Sequence, residues 1–160
     1  MEPYELSQVL MSVATFYEVR RPGEDRVLFT VRGELMSPSP AFKLLEPPSN
    51  DAVAQLAGNF IKTKYEVEGK GGDVLARLVF PAVAFKKTLS LTVGDAKYEA
   101  DGGVFRGVFQ CKDDKGEVVL EISKESGIRD RFAVKMDDAF PREVGLLCAV
   151  AIHSRFYEIV

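Results

Sequence analysis

Apolar and polar residues alternate with a period of two over most of the chain, from Tyr4 to Met136. The alternation is plain at Phe29 and Val31 in VLFTVRG, at Leu89, Leu91 and Val93 in KKTLSLTVGD, and at Phe105, Gly107, Phe109 and Cys111 in VFRGVFQCKD. Successive side chains of a strand point to opposite faces, so this pattern predicts strands with one buried face. Turn residues punctuate the runs: Arg21-Pro22-Gly23-Glu24-Asp25, Pro38-Ser39-Pro40, Pro47 to Asp51, Gly69 to Asp73, Val93-Gly94-Asp95, Asp101-Gly102-Gly103 and Asp113 to Gly116. Together they divide the chain into about twelve short strands at a spacing of roughly 8–12 residues, the signature of an all-β barrel or sandwich. No stretch reads as an interdomain linker, so residues 1–160 are expected to form one domain.

After Asp138 the period of two ends. Phe140-Pro141-Arg142-Glu143 leads into Val144-Gly145-Leu146-Leu147-Cys148-Ala149-Val150-Ala151-Ile152, then His153-Ser154-Arg155. Asp138 as N-cap, Pro141 in the first turn and Glu143 near the positive end of the dipole predict a helix over about 139–157. Its middle is apolar on every side, so protein or lipid must surround it. Nine apolar residues at ~1.5 Å each cover less than half of a ~30 Å hydrocarbon core. The alternative is a helix enclosed by the sheet: a mainly β, mostly antiparallel closed barrel around a central hydrophobic C-terminal helix.

The chain also repeats itself. Phe42 to Leu45, Ala52 to Leu56 and Tyr65 to Val67 match Phe109 to Lys112, Val118 to Ile122 and Phe132 to Val134, the middle segment shifted by one residue. A shorter echo is Phe16 to Val19 with Val27 to Phe29. Each unit is a strand, a polar turn and a strand, and two related half-barrels are expected.

Order and spacing over nearly the whole chain carry a family likeness. Tyr4 to Gln8 and Tyr17-Glu18-Val19 look like an opening hairpin; Asp113 to Gly116, Val118 to Ile122 and Ser123-Lys124 look like a D-x-x-G … I-x-K element; Asp130 to Val134 precedes the helix. In these features the chain resembles the tubby C-terminal-like superfamily, and within it the LURP-one-related branch. The resemblance implies a twelve-stranded, largely antiparallel barrel around a central hydrophobic helix. Phospholipid scramblases are similar to the same superfamily, but Arg129 and Arg131 flank Asp130 in the segment held to bind calcium there, which works against an oxygen-rich cation site. Neither scrambling nor calcium dependence carries over.

Composition narrows the function classes. The net charge of −3, from 21 Lys plus Arg against 24 Asp plus Glu, is too acidic for a dedicated nucleic-acid-binding domain. Two cysteines cannot make a disulfide framework, and one histidine cannot make a histidine-rich metal site. Cys111 and Cys148 are expected as buried thiols, with a disulfide between them left open. His153 is expected to face the last helical carbonyls; with no Gly-x-Ser-x-Gly elbow, it has no partner for catalysis. The glycine-rich turns match no nucleotide-binding fingerprint. Asp113-Asp114 and Asp137-Asp138 are read as turn and helix-start residues rather than as a catalytic pair. No catalytic residue, metal or cofactor is expected. An acidic start and the lack of an 18-residue apolar run predict a cytoplasmic protein, peripheral to a membrane if it meets one.

One hint of function remains. Residues 60–97 carry seven basic side chains against four acidic ones, the reverse of the rest of the chain. Lys62 and Lys64, in a strand expected to span Lys62 to Glu68, share a face with Glu66, while Lys86 and Lys87 lie near Phe80, Pro81 and Phe85. Basic residues beside apolar ones suit an anionic membrane surface, although lysines also protect strand edges from pairing. The sequence therefore points to a non-enzymatic binding or scaffold protein contacting anionic phospholipid, or a protein partner, through Lys86, Lys87, Lys62, Lys64 and Arg77. The competing expectation is a small-ligand-binding or enzymatic barrel with its site at a barrel mouth.

Overall fold

Alternation becomes a closed surface. The computed structural model describes residues 1–9, 16–34, 37–83, 87–102, 107–125 and 131–157. Among them are β1 (Glu2–Gln8), β2 (Phe16–Arg20), β3 (Phe29–Gly33), β4 (Ala41–Glu46), β5 (Asp51–Gly58) and β6 (Lys64–Gly69). They are followed by β7 (Val74–Val79), β8 (Thr88–Val93), β9 (Ala96–Asp101), β10 (Val108–Lys112), β11 (Val118–Glu125) and β12 (Arg131–Met136). Every strand pairs antiparallel with its neighbours in sequence, and β1 pairs with β12 to close the ring. The expected twelve-stranded barrel is the observed one. Closure leaves no strand edge, which removes the need for lysines as edge protection.

The helix α1 (Arg142–Ile152) follows β12, and a π-helical turn, His153–Tyr157, continues it. Val144 through Ile152 are all buried, and they share one core with the inward side chains of the strands. The greasy segment is thus inside the barrel, where its all-round apolar surface requires it to be. Its start differs from expectation. Pro141 occupies the N-cap position and no side chain caps the helix; Asp138 lies in a preceding turn, where the Phe140 N–H donates to the Asp137 carbonyl at 2.9 Å. A proline disfavours helical geometry in the residue before it, so α1 cannot begin at 139.

The sequence repeat has a counterpart in register. Phe42 pairs with Leu56, Leu44 with Ala54 and Leu56 with Val67; in the later block Phe109 pairs with Ile122, Cys111 with Leu120 and Ile122 with Val134. Each block has a bulge at the same place, after Leu44 in β4 and after Cys111 in β10. The middle strand of the later block is offset by one residue relative to the outer two, so the shift enters after the first matched strand and is undone before the third.

Consecutive antiparallel neighbours put alternate connections at opposite ends. The front mouth, where the helix enters, carries the β2–β3, β4–β5, β6–β7, β8–β9 and β10–β11 turns. The back mouth, where the helix emerges, carries the other six connections. No helix among the described residues is long and apolar enough to cross a membrane.

Candidate functional site

The back mouth is closed by rings. Edge-to-face contacts link Tyr65 to Phe80 and Phe80 to Phe156, with centroids 5.6 and 5.5 Å apart, and Phe156 stacks on Phe109 at 5.9 Å. On the other side, His153 meets the edges of Tyr17 and Phe132, and Phe132 meets Tyr157. Two hydrogen bonds secure the emerging helix: the Tyr17 hydroxyl bonds His153 Nδ1, and the Tyr65 hydroxyl pairs with Ser154 Oγ at 2.9 Å. His153 therefore turns its ring Nδ1 to a strand hydroxyl, while its backbone N–H serves the carbonyls of Ala149 and Val150. Phe80, expected as an apolar companion of the lysines, is buried in this plug.

Outside the plug stands the turn between β5 and β6. Asn59 organises it: its Oδ1 accepts the N–H of Thr63 at 2.8 Å and of Lys64 at 3.0 Å, and its Nδ2 donates to Thr63 Oγ1 at 2.9 Å. The Lys62 N–H donates to the Asn59 carbonyl at 3.0 Å, and Lys62 has a φ of 58°. This left-handed conformation is unusual for a residue other than glycine, so Lys62 belongs to the turn and not to the strand, which begins at Lys64. Phe60 and Ile61 sit at the corners of the turn, 76 % and 62 % exposed. Val79 and Val83, on and after the neighbouring β7, are 46 % and 45 % exposed. Arg155 on the π turn joins the two segments, donating to the carbonyls of Pro81 at 2.8 Å and Ala82 at 3.3 Å and reaching that of Ile61 at 3.5 Å.

Cations gather around this apolar tip. Described ionisable residues in the back halves of the strands and their turns include Arg32, Lys43, Lys62, Lys64, Lys87, Lys124, Arg131 and Arg155 against Glu5, Glu18, Glu34, Asp101 and Glu125, with Glu5 3.8 Å from Arg131 and Glu34 3.9 Å from Lys43. At the front mouth acids outnumber bases, with Asp113-Asp114, Asp137-Asp138, Glu46, Asp51, Asp73, Asp95, Glu117 and Glu143 among them. Part of this polarity suits the helix, whose C-terminal carbonyls favour positive charge. Lys87 and Lys124 converge on one ring, their Nζ atoms 4.9 and 4.4 Å from the centre of Tyr157.

The five lysine and arginine candidates separate. Lys62, Lys64 and Lys87 all lie at the back mouth, the last just before β8, two strands from Lys64, with its Nζ 3.4 Å from the Tyr157 hydroxyl. Arg77 lies lower on the wall, where its exposed guanidinium Nε is 3.2 Å from a Glu66 carboxylate oxygen. Lys86 and Phe85 lie outside the described residues. Missed from the sequence were Phe60 and Ile61. Two large apolar residues between Asn59 and Lys62, where a hairpin turn usually places polar ones, were the signal.

A groove of about 380 Å³ opens at the front mouth, lined by Arg26, Leu28, Phe29, Glu46, Pro47, Pro48 and Arg142. The Arg142 guanidinium lies 4.8 Å from the Phe29 ring centre, over its face. The two cysteines are free and buried. Burial, with Glu99 adding to it, pushes the Cys111 thiol up to about 12, and burial holds Cys148 well above the usual thiol range. Neither is a nucleophile at neutral pH. Unfolded thiols ionise near ~8.5, so the fold retains protons that the unfolded chain sheds. The thiol contribution to stability is accordingly expected to be complete below that pH and to fall as pH rises toward 12. Its slope is at most ~1.4 kcal/mol per pH unit for each thiol. Denaturant melts between neutral and alkaline pH measure the slope, and alkylation by iodoacetamide should wait for unfolding.

No protein-family model matches the chain, and no curated protein matches it at a significant level.

Proposed function

We propose that this protein is a non-enzymatic binding protein that contacts anionic phospholipid surfaces through the back mouth of its barrel. The carrying observation is the gathering of Lys62, Lys64, Lys87 and Lys124 at one end of a barrel whose opposite end is acidic. A dipolar particle of this kind orients in the field of a negative surface, and each lysine near that surface contributes ~1 kcal/mol within a screening length of ~8–10 Å. The chemistry of the interior supports the non-enzymatic part: His153 is engaged by Tyr17, and both thiols are held protonated. The closed barrel around its helix supports the tubby C-terminal-like, LURP-one-related reading, with peripheral attachment from the cytoplasmic side as the setting.

Flotation with vesicles of phosphatidylcholine, alone or with about one third phosphatidylserine, tests the proposal. Binding is expected only to the anionic vesicles. Lys62→Gln plus Lys64→Gln should weaken it by ~2 kcal/mol, roughly 30-fold. Arg77→Gln, at a position already paired on the wall, should change it less than twofold, on the order of an exposed ion pair's small worth. Equal binding to both vesicle types, or indifference to the lysine pair, would refute the reading. The groove at the front mouth favours a second one, a small-ligand-binding barrel. A chain that ignores both vesicles yet is thermally stabilised by a small carboxylate or phosphate would support that instead.

A further inference from the structure

Resting on the lipid reading above and going deeper into the same surface, we infer that the Asn59–Thr63 turn is a preformed wedge that inserts Phe60 and Ile61 among the acyl chains of an anionic bilayer. Exposed apolar residues scattered singly are ordinary, but here two adjacent large ones occupy the corners of one turn, with Val79 and Val83 on the adjoining segment. Such a group marks a contact surface. The turn is braced: Asn59 accepts the backbone N–H groups of Lys62, Thr63 and Lys64, and the Phe80 N–H donates to the Thr63 carbonyl at 2.7 Å. Arg155 fastens it to the segment after β7. Little conformational freedom is left to lose on insertion, and this is what lets a two-residue apolar tip add affinity. Charge chooses the occupant. Lys62 and Lys64 follow the tip and Lys87 stands two strands along the same mouth, an arrangement complementary to a negative headgroup layer over a hydrocarbon interior.

Insertion and surface attraction respond differently to salt. Raising NaCl from about 0.1 M to about 0.5 M screens the lysines and leaves the apolar component. The unaltered chain should therefore retain measurable binding to phosphatidylserine-containing vesicles at the higher salt. It should also prefer small, highly curved vesicles, whose packing defects admit side chains. Phe60→Ser plus Ile61→Ser, expected to melt like the parent because both positions are exposed, should lose about tenfold at low salt and essentially all binding at high salt. The chain has no tryptophan, so Phe60→Trp adds a unique reporter. Its emission should shift to the blue on binding and be quenched by lipids brominated in their acyl chains. If the double serine variant binds like the parent and the reporter does not shift, while Lys62→Gln plus Lys64→Gln still releases the chain, the wedge is wrong and the lipid contact stands. Failure of the unaltered chain to bind any anionic vesicle removes both. A reporter shift that follows protein concentration without vesicles would assign the turn to a second copy of the chain and overturn the inference.

Discussion

A chain ending at Phe140 is expected to lose its cooperative thermal transition altogether. Val144, Leu146, Leu147, Val150 and Ile152 have no exposed surface, and burying each contributes ~1.5–3 kcal/mol. Their sum is roughly 10 kcal/mol as an upper estimate, comparable to the ~5–15 kcal/mol that holds a whole domain. The strands left behind would line an empty or flooded interior. A gentler version keeps the length: Leu147→Asp places a carboxylate on the barrel axis among apolar neighbours, and a buried unpaired charge is among the costliest single changes. Calorimetry of either variant should show a broad, weak transition in place of a sharp one. A native-like melt from the truncated chain would mean that the strands make a core without the helix.

Gly58→Ala is expected to destabilise the barrel by overpacking its back mouth. A Cβ built on Gly58 would stand 2.6 and 2.8 Å from ring atoms of Tyr65, its cross-strand partner. The ring has nowhere to go. It is buried, packs against Phe80, and holds Ser154 through its hydroxyl. Overpacking of this kind costs typically ~1–3 kcal/mol, and loss of the Tyr65–Ser154 bond adds ~1 kcal/mol. Chemical denaturation is expected to show a loss of ~2–4 kcal/mol with the slope unchanged. A companion Gly58→Ala plus Tyr65→Leu variant should recover part of that loss. If Gly58→Ala alone is neutral, the end of β5 is looser than its contacts indicate.

The architecture was legible because it rests on signals that survive without neighbours: a period of two for the strands, turn residues between them, and a segment apolar all round that had to be enclosed. The boundary of the helix was not. Asp138 has the chemistry of a cap, and what displaced it is the restriction that Pro141 places on Phe140. Of the candidate site, the lysines were visible as a composition shift in residues 60–97, but a window along the chain mixes both ends of an antiparallel barrel. Lys70 and Lys97 belong to the front mouth, whereas Lys124, outside the window, belongs with Lys87. Arg77 looked equivalent to its neighbours until the register placed it opposite Glu66. Phe60 and Ile61 were hidden by the same alternation that revealed the strands, since one more apolar pair in a β-rich chain attracts no notice.

Enclosure of the last helix also dictates an order of events during synthesis. The twelve staves of the barrel leave the ribosome before the segment they wrap, and β1 must wait for β12 before the ring can close. Until then their inward faces have no permanent partner, and exposed apolar faces of an incomplete fold are prone to aggregation. Strands made early thus keep their inward faces without a core until the helix that fills the barrel has been made.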